Sequence, residues 1–317
     1  MRAEDTYQTI EIGNLRLAYK LIGPGNSPIL VIIETAIGSC MAEWWHVAER
    51  IGVKYQVLVY DRAGYGESSV SKLERTPLNI AFELEELLRK LALDTKERIF
   101  IGHSQGGLYV QQHVRRNPER SMAMILLDPL TTEDEQFRRR LTPEEYRNSG
   151  VEKTQVYKVG RTLCRLKLGF IFKPLLRKSP PFYYQHFTPE AEGYILRSLT
   201  RAKQYQTAIL EYRLSHQEAN IAHLRENHSF PEIPIVLITH SSTISVDESM
   251  RYTGSSRETA EKVEDIWQEI MKTYLSFSKS ARWINASKSG HYIHLTEPEL
   301  IEESLEAITK QHDAAID

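Results

Sequence analysis

Ser104 stands in the pentapeptide Gly102-His103-Ser104-Gln105-Gly106, directly after the apolar run Arg98-Ile99-Phe100-Ile101. A serine hydroxyl is a useful nucleophile only when its backbone presents it to a base and to donors for an oxyanion. A sharp strand-to-helix turn does this, and its tightness demands small flanking residues. Gly102, Gly106 and Gly107 meet that demand. Leu108 to Val114 then reads as a helix ending near Pro118. The same five residues also suit a glycine-rich turn whose serine merely caps a helix. The chemistry therefore depends on partners elsewhere in the chain.

The elements that must hold such a turn are readable. Ile10 to Leu21 alternates as a hairpin around Gly13-Asn14. The run 28–33 is continuously apolar, as a strand buried on both faces is, and 55–60, 98–101, 122–127 and 233–238 read as further strands. A further strand spans about 281–286. Helices are expected over 42–51, from Thr76-Pro77 onward, after Ser104, and around 258–277. Thr296 and Glu299 have capping-box spacing and Leu295 and Leu300 that of a hydrophobic staple, so Thr296 is expected to open the last helix. Strands alternating with helices imply βαβ units and a mostly parallel sheet. From Thr131 to Phe230 the pattern is helical without a convincing strand. Such an insertion lies over the carboxyl ends of the strands, where open α/β sheets bind ligands.

Composition narrows the classes. The chain has 317 residues, 41% of them hydrophobic, enough for a substantial core. Its 40 basic and 42 acidic residues give a net charge of −2, which removes a global argument for nucleic acid or an anionic membrane. No apolar stretch reaches membrane-spanning length. The charged start Met1-Arg2-Ala3-Glu4-Asp5-Thr6 lacks a signal-peptide apolar region. Cys40 and Cys164 alone make a disulfide framework implausible, and two free thiols in a reducing, cytoplasmic setting are expected. No Cys/His spacing resembles a metal site, and no cofactor is implied.

With these pieces together the chain resembles the α/β-hydrolase superfamily along nearly its whole length. The resemblance rests on the Ser104 pentapeptide, on Asp61-Arg62-Ala63-Gly64-Tyr65-Gly66-Glu67-Ser68 after the fourth strand, on the insertion, and on Ser289-Gly290-His291. It implies an eight-stranded, mostly parallel sheet flanked by helices. The core would comprise residues 1–130 and 231–317, with a helical cap at 131–230 inserted after strand 6. It also implies the chain order Ser, acid, His.

On that resemblance Ser104 is the nucleophile. His291, placed right after the Ser-Gly pair, is the base in preference to His294. His103 is expected only to pack or to line a pocket. The acid has two candidates. Asp128 ends the strand that follows the nucleophile helix, where some members carry theirs. Asp247 follows the strand at 233–238, after the more usual position, and would need its loop to fold back. The oxyanion donors are the backbone N–H groups of Gln105 and of Ile37. Ile37 lies in the loop Glu34-Thr35-Ala36-Ile37-Gly38-Ser39, where members usually carry His-Gly. Asp61-Arg62 is expected to pin a turn.

Residues 151–180 hold eight Lys or Arg against Glu152 alone, interleaved with leucine, isoleucine and phenylalanine. This reads first as an amphipathic cap helix with a solvated basic face. It also suits contact with an acidic or lipid-like substrate or with a membrane surface. The expected activity is cofactor-independent hydrolysis of an ester, amide or related acyl bond in a small, partly apolar substrate. Two other uses of the fold are a slow or non-catalytic ligand receptor and a cofactor-free lyase or haloperoxidase-like enzyme.

Overall fold

A computed structural model describes residues 7–151 and 154–316. Eight strands form one sheet: β1 (Gln8–Ile12), β2 (Leu15–Ile22), β3 (Ile29–Glu34), β4 (Gln56–Tyr60), β5 (Glu97–His103), β6 (Ser121–Leu127), β7 (Ile235–Thr239) and β8 (Ala281–Asn285). Their spatial order is β1-β2-β4-β3-β5-β6-β7-β8. The pairings β1/β2 and β2/β4 are antiparallel, and every other pairing is parallel.

The helices are α1 (Trp45–Ile51), α2 (Pro77–Lys90), α3 (Gly106–Arg116), α4 (Glu135–Arg140), α5 (Pro143–Asn148), α6 (Thr154–Arg165), α7 (Lys173–Leu176), α8 (Pro189–Leu199), α9 (Ala202–Ser215), α10 (Glu218–Ile221), α11 (Ser242–Thr253), α12 (Arg257–Met271), α13 (Ile293–Thr296) and α14 (Glu299–Ile316). Helices α4 to α10 all fall between β6 and β7, and no strand occurs there among the described residues.

The apolar runs are continuous because each central strand feeds two cores. In β3, Leu30 and Ile32 face one core and Val31 and Ile33 the other. In β7, Ile235 and Leu237 separate in the same way from Val236 and Ile238. The first core is closed by α2, α3 and α12, through Leu84, Leu87, Val110, Val114, Ile266 and Ile270. The second is closed by α1 and α14, through Val47, Ile51, Ile301, Leu305 and Ile308. Each such side chain contributes about 1.5–3 kcal/mol of transfer free energy. Thr76 caps α2 by accepting the Asn79 N–H at 3.2 Å, with Pro77 in the first turn.

Two expectations are corrected. The chain after β7 is not a loop that could fold back; it is helix α11, with Val246 its one buried residue. Thr296 does not open the last helix. It ends the short helix α13, its hydroxyl bonded to the Tyr292 carbonyl at 3.2 Å and to Ser289 Oγ at 2.6 Å. Helix α14 starts three residues later, at Glu299.

Candidate active site

Strand register brings the candidate residues to one edge of the sheet. His103 of β5 pairs with Leu127 of β6, and Leu127 with Ile238 of β7. The residues that follow, Ser104 and Asp128, therefore leave the sheet side by side. On the other flank Glu34 of β3 pairs with Gly102, so the loop Thr35–Ile37 emerges beside His103 and Ser104.

Ser104 has φ +53° and Asp128 φ +47°, both in the left-handed region that L-residues avoid. Such residues cost about 1–3 kcal/mol each and persist only where their surroundings fix them. Here Ser104 N–H donates to the Leu127 carbonyl at 2.9 Å. The Ser104 carbonyl accepts from Gly107 N–H at 3.0 Å and Leu130 N–H at 2.8 Å. Asp128 N–H donates to the Ile238 carbonyl at 2.9 Å. A Cβ at Gly106 would lie 2.3 Å from the Glu34 carbonyl oxygen, and one at Gly102 2.9 Å from Gly107 Cα. The glycines thus let the start of α3 press against the β3 loop.

The Asp128 carboxylate, buried at 4% exposure, is the hub of the site. Its Oδ2 accepts from His291 Nδ1 at 2.8 Å and from His240 Nδ1 at 2.7 Å, and its Oδ1 from the His240 backbone N–H at 3.0 Å. His240 Nε2 meets Glu264 Oε2 of α12 at 2.9 Å, and the His240 ring stacks on Trp267 at 4.1 Å. Burial alone would raise the Asp128 pKa, but the charge and hydrogen bonds of His240, with those of His291, hold it well below the usual carboxylate range. Burial opposes a charge on His240, yet Asp128 and Glu264 push its pKa up to about 10.

His291 is 42% exposed at its side chain, open to an incoming molecule on the face away from Asp128. Its backbone is tied to the elbow: His103 Nε2–H donates to the His291 carbonyl at 2.9 Å, and the two rings lie 4.8 Å apart. Burial, reinforced by His291, lowers the His103 pKa to about 3, so its ring is neutral. A Cβ at Gly290, beside His291, would fall 2.2 Å from a Glu248 carboxylate oxygen, so that flexible side chain would have to move. His294 is fully buried and stacked on Trp44 at 4.1 Å.

Asp247 is not near this hub. It lies exposed on α11 and pairs with Arg257 at 3.1 Å, because the chain after β7 coils into a helix.

Behind the β3 loop sits the buried Arg62. Its Nη1 donates to the Thr35 carbonyl at 2.7 Å and its Nη2 to the Ala36 carbonyl at 3.2 Å. In a trans peptide the N–H points opposite to the carbonyl, so the Ile37 N–H faces away from Arg62. Arg62 pairs with Glu34 at 3.3 Å and with the fully buried Glu211 of α9 at 3.0 Å. Glu211 also accepts from Tyr65 Oη at 2.8 Å. Asp61 accepts from the Met41 and Glu67 N–H groups at 2.8 and 3.1 Å and from Tyr194 Oη, so it pins a turn. Gln105 is the N-cap of α3; its side-chain Nε2 donates to Ser215 Oγ at 3.1 Å.

Two hollows reach residues next to the site, though neither is lined by Ser104, Asp128 or His291. One, of about 480 Å³, has Ser215, His216 and Asp134 in its wall. The other, of about 270 Å³, is lined by Gly290, Tyr184 and Glu248. Tyr157 of α6 lies over Gly38, where a Cβ would be 3.5 Å from its ring. Among the described residues no group of three or more His, Cys, Asp or Glu side chains is placed to hold a metal ion.

Comparison with known proteins agrees with this architecture. A sequence model described as alpha/beta hydrolase fold matches residues 28–298. An AB hydrolase superfamily protein of Gibberella zeae is 26% identical over 299 residues, covering 89% of this chain and 86% of its own. The epoxide hydrolase CorEH superposes with a TM-score of 0.64 at 14% identity, covering 96% of this chain and 99% of its own. An esterase from Thermogutta terrifontis superposes at 0.61 and 18%, covering 96% and 98%. At these identities the structural likeness concerns the fold.

Proposed function

The chain belongs to the alpha/beta hydrolase fold family, and from that premise we propose that it is a serine hydrolase acting on an ester, amide or related acyl bond of a small, partly apolar substrate. Ser104 Oγ attacks the acyl carbon while His291 Nε2 takes its proton. Asp128, bonded to Nδ1, fixes the tautomer and stabilises the imidazolium. The Gln105 and Ile37 N–H groups hold the oxyanion, aided by the positive end of α3. The imidazolium returns the proton to the leaving group, which departs and leaves an acyl-serine. Water, deprotonated by His291, then releases the acid and restores the serine.

The observation that carries this reading is the 2.8 Å bond from His291 Nδ1 to a buried carboxylate at the end of β6, one strand from the strained turn at Ser104. Residues 131–230 serve as a helical cap over the site, anchored through Glu211. The hollows beside Ser215 and Gly290 give room for two parts of a substrate. Free Cys40 and Cys164 suit a reducing cytoplasm.

A series of p-nitrophenyl esters of graded acyl length tests the reading. Saturable hydrolysis with a preferred chain length, lost in Ser104→Ala, is expected. Tight ligand binding without turnover of any member would point instead to a receptor on the same fold.

A further inference from the structure

Amphipathic helices of globular proteins bury their apolar stripe. Helix α6 does so only in part: none of its residues is fully buried, and Tyr157, Leu163 and Cys164 are half-buried. Its neighbour-facing side is the one carrying Gly160, whose missing Cβ admits the Tyr205 ring of α9, and Arg161, bonded to Gln206 at 2.9 Å. Val156 and Val159 of the same helix are 69% and 58% exposed. The exposure continues along the chain that follows: Leu166 at 63%, Phe170 at 63%, Ile171 at 58% and Leu175 at 63%. Six large apolar side chains within twenty residues therefore stand in water, where scattered single exposures would be ordinary.

Charge says what covers them. Residues 154–178 contain seven Lys or Arg and no Asp or Glu. Arg177 is neutralised by Glu192 at 2.7 Å. Lys158, Lys167 and Lys178 are exposed and have no carboxylate partner among the described residues. Apolar groups flanked by uncompensated cations match the interfacial layer of an anionic bilayer, where the apolar groups enter the acyl boundary and the lysines meet headgroup phosphates. A protein partner burying the same apolar groups would need a matching acidic rim; a second copy of this chain offers the same cations and would repel.

We propose that the surface formed by α6, the turn after it and α7 docks this protein on membranes rich in anionic lipid. Through Tyr157, which lies over Gly38, the docked helix also borders the candidate site. Binding needs no turnover, so it is tested apart from the hydrolase reading.

The test is co-sedimentation of the full chain, and of Ser104→Ala, with phosphatidylcholine vesicles holding about one-third phosphatidylglycerol. Binding is expected to the anionic vesicles, weakly or not at all to pure phosphatidylcholine, and to fall as salt rises. A Phe170→Asp/Ile171→Asp/Leu175→Asp variant should lose at least about tenfold in partitioning, with hydrolysis of soluble esters unchanged. Lys167→Glu/Lys178→Glu should lose about fivefold or more per site, independently of any folding defect in the first variant. Absence of binding at low salt, or equal binding by both variants, overturns the proposal. So does a wild-type dimer that the triple variant dissolves, since the patch would then be a self-interface.

Discussion

Asp128 and His240 are joined twice, through the His240 backbone N–H at 3.0 Å and its Nδ1 at 2.7 Å, while the same carboxylate oxygen also receives His291 Nδ1. One buried carboxylate therefore serves two imidazoles. Their roles differ: His240, 7% exposed at its side chain, is sandwiched between two carboxylates, and His291 is open to solvent. A charged His240 cancels part of the negative charge that Asp128 and Glu264 would otherwise place in one buried spot.

Replacing His240 by Gln keeps a hydrogen-bonding side chain and removes the cation. Asp128 then becomes easier to protonate, and once protonated it no longer fixes His291. The expected result is a fall in kcat/KM of roughly 10–100-fold, with the acidic limb of the pH–rate profile moved upward. An unchanged profile would reduce His240 to a packing residue.

Stability should follow the same network. His240 titrates near 6.5 when unfolded and at about 10 in the fold. Its contribution is present in full below 6.5 and is lost as pH rises through about 10. Asp128 is lowered, so its contribution is present above about 4 and declines as pH falls further. Thermal melts should show the wild-type advantage over His240→Gln shrinking steadily between about pH 6.5 and 10. A constant gap across that range would contradict the charged assignment.

Gly106→Ala places a Cβ 2.3 Å from the Glu34 carbonyl. Backbone cannot yield as a side chain would, so the β3 loop and the elbow must part. About 1–3 kcal/mol of stability should be lost, and turnover should fall by about 100-fold or more. Thermal denaturation and ester kinetics measure the two effects separately.

Glu211→Ala leaves Arg62 with Glu34 as its remaining buried counter-ion and removes one of the ties between α9 and the sheet, the Gln105–Ser215 bond remaining. Removing one partner of a buried pair costs about 3–5 kcal/mol, a drop in melting temperature on the order of 10 °C. Glu211→Gln, which keeps hydrogen bonds to Tyr65 and Arg62, should lose less.

What the sequence disclosed follows from where each signal resides. The strands were legible because burial on both faces leaves continuous apolar runs, as in Ile29–Ile33 and Ile235–Ile238. The Ser104 turn was legible because only glycine fits around it. His240 left no trace: a single histidine is common, and its partner Glu264 is 24 positions away on a helix whose facing is a property of the fold. The anchoring role of His103 was hidden for the same reason, since its bond is to a carbonyl 188 residues distant. Helix α11 has a single buried residue and so almost no apolar period. Thr296 carried a genuine capping pattern, but its hydroxyl is spent on Tyr292 and Ser289. The basic stretch at 151–180 read as a helix with cations in water; its apolar side chains standing in water as well is a tertiary fact.

On the proposed reading Ser104, His291 and Asp128 act as one nucleophilic unit. Labelling of the folded protein with a fluorophosphonate probe, with the adduct located by peptide mass spectrometry, tests it most directly. Modification at Ser104 is expected, slowed by orders of magnitude in His291→Ala and in Asp128→Asn. A folded protein that resists the probe, or one labelled at Ser104 equally fast without His291, contradicts it.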